Sequence, residues 1–144
     1  MSGETTLITE TAGIHEANAN DSLMVIQHRS MDFNGVKTGF YKDNELTNEI
    51  PDHSETPNIT LNYFFHKSGE LDLETAILLP TYHNGETTLP VLLDPYGGPH
   101  AQRVRKARGL FGVSQWFADQ GFAVVITDGR GTPGRSPNFE RQVY

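Results

Sequence analysis

In Leu89-Pro90-Val91-Leu92-Leu93-Asp94-Pro95-Tyr96-Gly97-Gly98-Pro99-His100 a short apolar run leads into a carboxylate, a phenol, two adjacent glycines and an imidazole. Further along, Asp128-Gly129-Arg130-Gly131 sets a carboxylate and a guanidinium among glycines. Glycines without a Cβ let the backbone turn sharply and approach a substrate closely, with N–H groups presented to a developing negative charge. Plain turn chemistry accounts for the same spacing, so both readings stay open on the pattern alone. His100 lies close enough to Tyr96 in sequence to be weighed as a catalytic base.

Other chemistries lack their residues. A serine nucleophile on this kind of scaffold needs a Gly-x-Ser-x-Gly elbow at a strand-to-helix turn. Gly112-Val113-Ser114-Gln115-Trp116 is the nearest imitation, but it ends on tryptophan and falls inside a helical pattern, so Ser114 reads as a helix-surface residue. Ser136, in Gly134-Arg135-Ser136-Pro137-Asn138, fails the elbow pattern as well. The chain has no cysteine, hence no disulfide, no thiolate metal site and no cysteine nucleophile. Its histidines are scattered singly, and His15-Glu16 lacks a second histidine four positions after the first, so no zincin motif is present. Proline after Gly97-Gly98 removes an N–H that a phosphate cradle would use. No cofactor is expected.

The elements around these residues divide into two kinds. Leu23 to His28, Val36 to Tyr41 and Leu46 to Ile50 are short β-type runs separated by turn signals at Asp32-Phe33-Asn34-Gly35 and Lys42-Asp43-Asn44-Glu45, which predicts an antiparallel meander. Such a unit needs neighbours to bury its faces. Pro51 to Asn58 reads as a linker. Beyond it, Ile59 to His66 and Leu71 to Leu79 are strand candidates joined at Lys67-Ser68-Gly69-Glu70, and Thr81 to Thr88 is a polar loop. Pro90 to Leu93 is a nearly all-apolar run of the kind buried on both faces. Between Ala107 and Gln120, Leu110, Val113, Trp116 and Phe117 recur at three- and four-residue steps and give one apolar stripe on a helix, with Gly121 as C-cap. Phe122 to Thr127 is a further buried strand, so strand, loop, helix and strand make a parallel βαβ crossover. Ligands of open α/β sheets gather outside the carboxyl ends of parallel strands. The Tyr96 and Asp128 segments both lie there.

Composition limits the remaining possibilities. At 144 residues and a net charge of -7, the chain has the size of a single domain and lacks the basic face that nucleic acid requires. The basic cluster Arg103, Arg105, Lys106 and Arg108 reads as a solvated loop or helix start. Asn20-Asp21-Ser22 and Asn58-Ile59-Thr60 match a glycosylation acceptor only at chance level. Met1 to Glu10 has neither a basic region nor an apolar stretch of signal-peptide length, and no apolar run approaches a membrane span. A cytoplasmic location without a membrane segment is the expectation.

Residues 89 to 102, then Trp116-Phe117-Ala118-Asp119-Gln120-Gly121-Phe122-Ala123-Val124-Val125, then Asp128-Gly129-Arg130-Gly131-Thr132-Pro133-Gly134, together resemble the prolyl oligopeptidase family of serine peptidases, in its dipeptidyl peptidase IV-like branch. The resemblance implies an α/β class, with an incomplete α/β-hydrolase sheet in 59–144 preceded in 1–58 by antiparallel strands resembling the end of a β-propeller and its linker. It implies that Tyr96 supplies its hydroxyl to an oxyanion hole, that Gly97 and Gly98 form the supporting loop, and that Asp128 and Arg130 anchor active-site loops. The family's catalytic histidine comes near the end of the hydrolase domain, which makes His100 a loop histidine.

Nucleophile, acid and base would lie beyond Tyr144, and the glutamate pair that holds a substrate's amino terminus is not identifiable here. The expectation is a fragment of a peptidase that releases N-terminal dipeptides with proline or alanine at the penultimate position, inactive by itself. Its partner would be an oligopeptide in the full-length parent, for which a homo-oligomer is compatible. An acylaminoacyl-peptidase or esterase-like hydrolase, and a non-catalytic binding remnant, are the alternatives.

Overall fold

The structure is a computed structural model that describes residue 3 and residues 5–143. Met1, Ser2, Glu4 and Tyr144 lie outside the described residues. It divides into two compact units, one running to Pro57 and including Lys106–Gly109, the other made of Asn58–Arg105 and the segment from Leu110 onward.

The first unit is an antiparallel sheet of β1 (Ile14–Ala19), β2 (Met24–Arg29), β3 (Lys37–Lys42) and β4 (Glu45–Ile50), paired in chain order. Its turns follow from their residues. Asn20 Oδ1 accepts from the N–H groups of Ser22 and Leu23 at 3.0 and 2.9 Å, which folds the chain back from β1 to β2. Asp43 and Asn44 both take positive φ, 52° and 66°, as a two-residue hairpin turn between twisted strands requires. β1 is absent from the sequence expectation: Ile14-His15-Glu16-Ala17-Asn18-Ala19 has little β-branched content, and its outer part is exposed. Lys106–Gly109 joins this unit, with the Arg108 N–H on the Ser30 carbonyl at 2.9 Å.

The second unit holds β5 (Tyr63–Ser68), β6 (Leu73–Leu78), β7 (Val91–Leu93) and β8 (Ala123–Thr127) in the order β5-β6-β8-β7. β7 and β8 are parallel; the other pairs are antiparallel. β5 starts later than predicted, and the hairpin turns at Gly69–Asp72, where Gly69 and Asp72 have φ of 67° and 50°. Helix α1 (Gly112–Asp119), entered through a 3-10 turn at Arg108–Phe111, makes the crossover from β7 to β8 and packs on β6 and β8. Gly121, at φ 102°, follows its C-terminus, and the Gly121 N–H reaches the Ala118 carbonyl at 2.8 Å. A short helix α2 (Pro137–Glu140) is capped by Ser136, whose hydroxyl accepts from the Phe139 N–H at 3.2 Å.

Two expectations fail here, both over which side is buried. The core of this unit is Ala76, Leu78, Val124 and Ile126 from the sheet, with Phe111 and Ala118 from the crossover. α1 therefore buries Ser114, Gln115 and Ala118, next to Phe111 of the preceding turn, and leaves Val113 and Trp116 exposed, at 71% and 57%. Ser114 is buried, not a surface residue. The cause is Gln115, whose Oε1 accepts from the Asn62 N–H at 2.9 Å and whose Nε2 donates to the Leu79 carbonyl at 3.0 Å. Those two backbone groups flank the β5–β6 pair, and satisfying them turns Gln115 inward. β7 is likewise not buried on both faces: it lies at a sheet edge, and Val91 and Leu93 are exposed. Among the described residues no helix is long and apolar enough to cross a membrane.

Candidate active-site loops

Both chemistry-bearing segments leave the sheet at the carboxyl ends of β7 and β8, and each leaves through an aspartate. Asp94 follows β7 and donates its N–H to the Val125 carbonyl at 2.9 Å, extending the parallel ladder by one rung. Asp128 follows β8, donates its N–H to Glu74's carbonyl at 2.9 Å, and is buried. A buried carboxylate needs donors to offset its lost hydration. Asp128 takes them from the N–H groups of Arg103 and Val104, at 2.7 and 3.2 Å. These two bonds tie the returning end of the loop that carries Tyr96 to the end of β8.

Tyr96 is 43% exposed at the outer part of this loop. Gly97 has φ of 70°, a left-handed conformation that a side chain would strain. Gly98 serves differently. A Cβ on Gly98 would lie 3.0 Å from Tyr96 Cε1 and 3.5 Å from its hydroxyl, so the phenol ring rests against a backbone that only glycine leaves open. The loop is also tied sideways, since Gln102 Nε2 donates to the Pro133 carbonyl at 2.8 Å.

The Asp128 segment is a tight structure in itself. Thr132 Oγ1 donates to the Gly129 carbonyl at 2.8 Å, and Gly131, buried at φ 85°, has the Val143 side chain where its own Cβ would stand. Arg130 departs from expectation: its side chain is exposed, and no hydrogen bond or ion pair ties it to the Tyr96 loop among the described residues. Glycines on either side give it no wall to pack against, so Asp128 anchors alone. His100 lines an open cavity of about 320 Å³ with Pro99, Gly131, Pro137, Glu140 and Arg141, between the two segments.

Three residues outside the sequence expectation contribute. Arg103, read as part of a solvated basic cluster, donates from Nη2 to Asp94 Oδ2 at 2.6 Å. Arg135 donates to the carbonyls of Leu71 and Asp72 at 2.9 and 3.2 Å and stacks over Phe139, with 4.2 Å to the ring centroid. Gln102 is the third. A polar aspartate directly after each apolar strand, at Asp94 and Asp128, was the available signal for the anchoring pair. Among the described residues no three histidine, aspartate or glutamate side chains gather as metal ligands would.

Comparison with known proteins gives consistent likenesses. A family model described as X-Pro dipeptidyl-peptidase (S15 family) matches residues 69–136. Prolyl endopeptidase FAP of Mus musculus is 28% identical over 78 residues, 54% of this chain and 10% of that protein. A probable dipeptidyl peptidase 4 of Neosartorya fischeri is 37% identical over 90 residues, 60% of this chain and 12% of that protein. In structure, dipeptidyl peptidase 4 of Porphyromonas gingivalis superposes with a TM-score of 0.81 at 20% identity, over 99% of this chain and 22% of that one. Pyrococcus horikoshii acylaminoacyl peptidase gives a TM-score of 0.64 at 21% identity, over 99% and 23%. The chain thus spans about a tenth of the length of the curated relatives it matches. Its fold is the α/β-hydrolase sheet in incomplete form, preceded by antiparallel strands of propeller type. Likeness in sequence and likeness in fold agree: over part of their length, this chain is similar to dipeptidyl peptidase IV-like peptidases of the prolyl oligopeptidase type.

Proposed function

We propose that this chain contributes the oxyanion-stabilising loop of a serine peptidase that releases dipeptides with proline or alanine at the penultimate position. Attack on a peptide carbonyl turns its oxygen into an oxyanion, and a fixed phenol donor lowers the energy of that charge. The observation that carries the reading is Tyr96 itself. Its ring rests against Gly98 just past the carboxyl end of β7, on a loop whose two ends are bonded to the β8 strand and to the aspartate that follows it. Gly97 supports it by the left-handed turn it permits.

The nucleophile, acid and base of this reading belong to sequence outside residues 1–144, because no Gly-x-Ser-x-Gly elbow occurs within them. Residues 1–144 purified alone should therefore leave a chromogenic Gly-Pro amide intact; turnover sensitive to a fluorophosphonate would overturn that. In the full-length gene product, Tyr96→Phe should lower kcat about 100- to 1,000-fold with little change in KM, a barrier increase of about 2.7–4 kcal/mol. An unchanged kcat would remove Tyr96 from the oxyanion hole.

The fit to an acylaminoacyl peptidase over nearly the whole chain favours a second reading, hydrolysis of acyl-blocked peptides on the same loop. Cleavage of acetyl-alanyl amides in preference to free Gly-Pro amides would select it.

A further inference from the structure

The loop that carries Tyr96 is closed at its base by two side chains. Asp94, two residues before Tyr96, is held to β8 through the Val125 carbonyl. Arg103, at the returning end, is held by the Asp128 carboxylate through its own N–H at 2.7 Å. The Arg103 guanidinium then reaches across to Asp94 Oδ2 at 2.6 Å and joins the two stalks to each other. We infer that Asp94 and Arg103 form a clasp that sets the position of the Tyr96 hydroxyl, as positioning residues for the oxyanion hole; this rests on the reading of Tyr96 given above.

The clasp's value is geometric. Its side chains keep 38% and 36% of their exposure, and an ion pair so accessible to water adds little to global stability. Geometry is costlier to lose: a displacement of about 1 Å in a catalytic group can lower a rate about 100-fold. Among the described residues no other hydrogen bond or ion pair runs directly from one stalk to the other. Asp128 and the Val125 carbonyl each hold the backbone of one stalk to the end of β8, so without the guanidinium the sheet stays intact while the loop beyond those two tethers loses the side-chain link that sets its spacing.

The test is a double-mutant cycle in the full-length gene product on a Gly-Pro amide. Arg103→Gln should lower kcat about 10- to 100-fold with KM little changed, and Arg103→Lys, which keeps a charge for Asp94, should recover part of the loss. In a Tyr96→Phe background Arg103→Gln should cost nothing further, because a residue acting through the phenol has no effect once the hydroxyl is gone. An equal loss in both backgrounds overturns the clasp and leaves the Tyr96 reading standing; an unchanged kcat in Tyr96→Phe removes both. If Arg103→Gln does not fold, Asp94→Asn, which keeps the shape and drops the charge, carries the same cycle.

A second readout needs no turnover. In the full-length gene product labelled with fluorotyrosine, the Tyr96 resonance, assigned by its loss in Tyr96→Phe, should move in Arg103→Gln and stay put in Lys67→Gln, which breaks a surface ion pair elsewhere. A Tyr96 resonance unmoved by Arg103→Gln overturns the inference.

Discussion

Gln115 offers the sharpest test of how this fold is held. Its side chain is fully buried, yet it is polar and sits on a helix whose other side carries Val113 and Trp116. Gln115→Met keeps the length and removes both functions of the amide. The Asn62 N–H, now 2.9 Å from Oε1, and the Leu79 carbonyl, 3.0 Å from Nε2, then lose their side-chain partner. Asp119 also loses a donor at 3.1 Å, but it keeps the Thr81 N–H and hydroxyl at 2.8 and 3.1 Å and is not orphaned. An orphaned buried polar group costs about 1–3 kcal/mol, so two cost about 2–6. Both sites are only partly buried and water can reach them, which puts the expected loss near the lower end, about 2–4 kcal/mol. Urea unfolding followed by Trp116, the sole tryptophan, measures this directly. Gln120→Met at the C-cap of that helix, where the amide makes only a 3.4 Å exposed contact, should stay within about 0.5 kcal/mol. A Gln115→Met loss below about 1 kcal/mol at unchanged slope would refute the claim that backbone satisfaction turns this face of α1 inward.

Two further outcomes follow from the local geometry. Gly98→Ala brings a methyl to 3.0 Å from Tyr96 Cε1, so it should shift the Tyr96 fluorotyrosine resonance while leaving the thermal midpoint of residues 1–144 close to the parent's; an unmoved resonance means that the ring does not rest on Gly98. His15 titrates below the ordinary imidazole value of 6.5, through burial first and then through the charge of His28, with which it stacks at 4.2 Å. The unfolded chain therefore binds more protons than the folded one, and the stability held above pH 6.5 should fall as pH drops below that value. An NMR titration checks this, with His28→Gln expected to bring His15 back toward 6.5 and an unchanged midpoint refuting the pairing.

What the sequence made legible was mostly local. Asp43-Asn44 announces its hairpin because both residues tolerate positive φ, and Gly121 announces the end of α1 for the same reason. The Tyr96 loop and the Asp128 segment were legible as loops at strand ends, since glycine and proline clusters after apolar runs mark such places. β1 was not, because an edge strand with an exposed outer part needs no alternation of apolar and polar residues. Arg103 was not either. Its neighbours Arg105, Lys106 and Arg108 made it look like part of a solvated charge run, and its partner Asp94 lies on the far side of the loop, a pairing visible only once β7 and β8 are side by side.

Some of the apolar residues of the α1 stripe and of β7 come together in one place. Val113 and Phe117 from the outward stripe of α1, with Leu92 and Leu93 from β7, line one cavity of about 420 Å³, and Asp94 and Arg103 border it too. Their periodicity was read correctly as that of a helix and a strand. Helical period says which residues share a stripe, but Phe111, Ser114, Gln115 and Ala118 are related by three- and four-residue separations just as Leu110, Val113, Trp116 and Phe117 are, so period cannot choose between the two. The choice is made by sheet order. With β8 between β6 and β7, α1 lands on β6 and β8, the stripe that can satisfy Asn62 and Leu79 turns inward, and the more apolar stripe is left beside the edge of β7. Burial here is a consequence of long-range pairing, decided between residues far apart in sequence and then imposed on the helix.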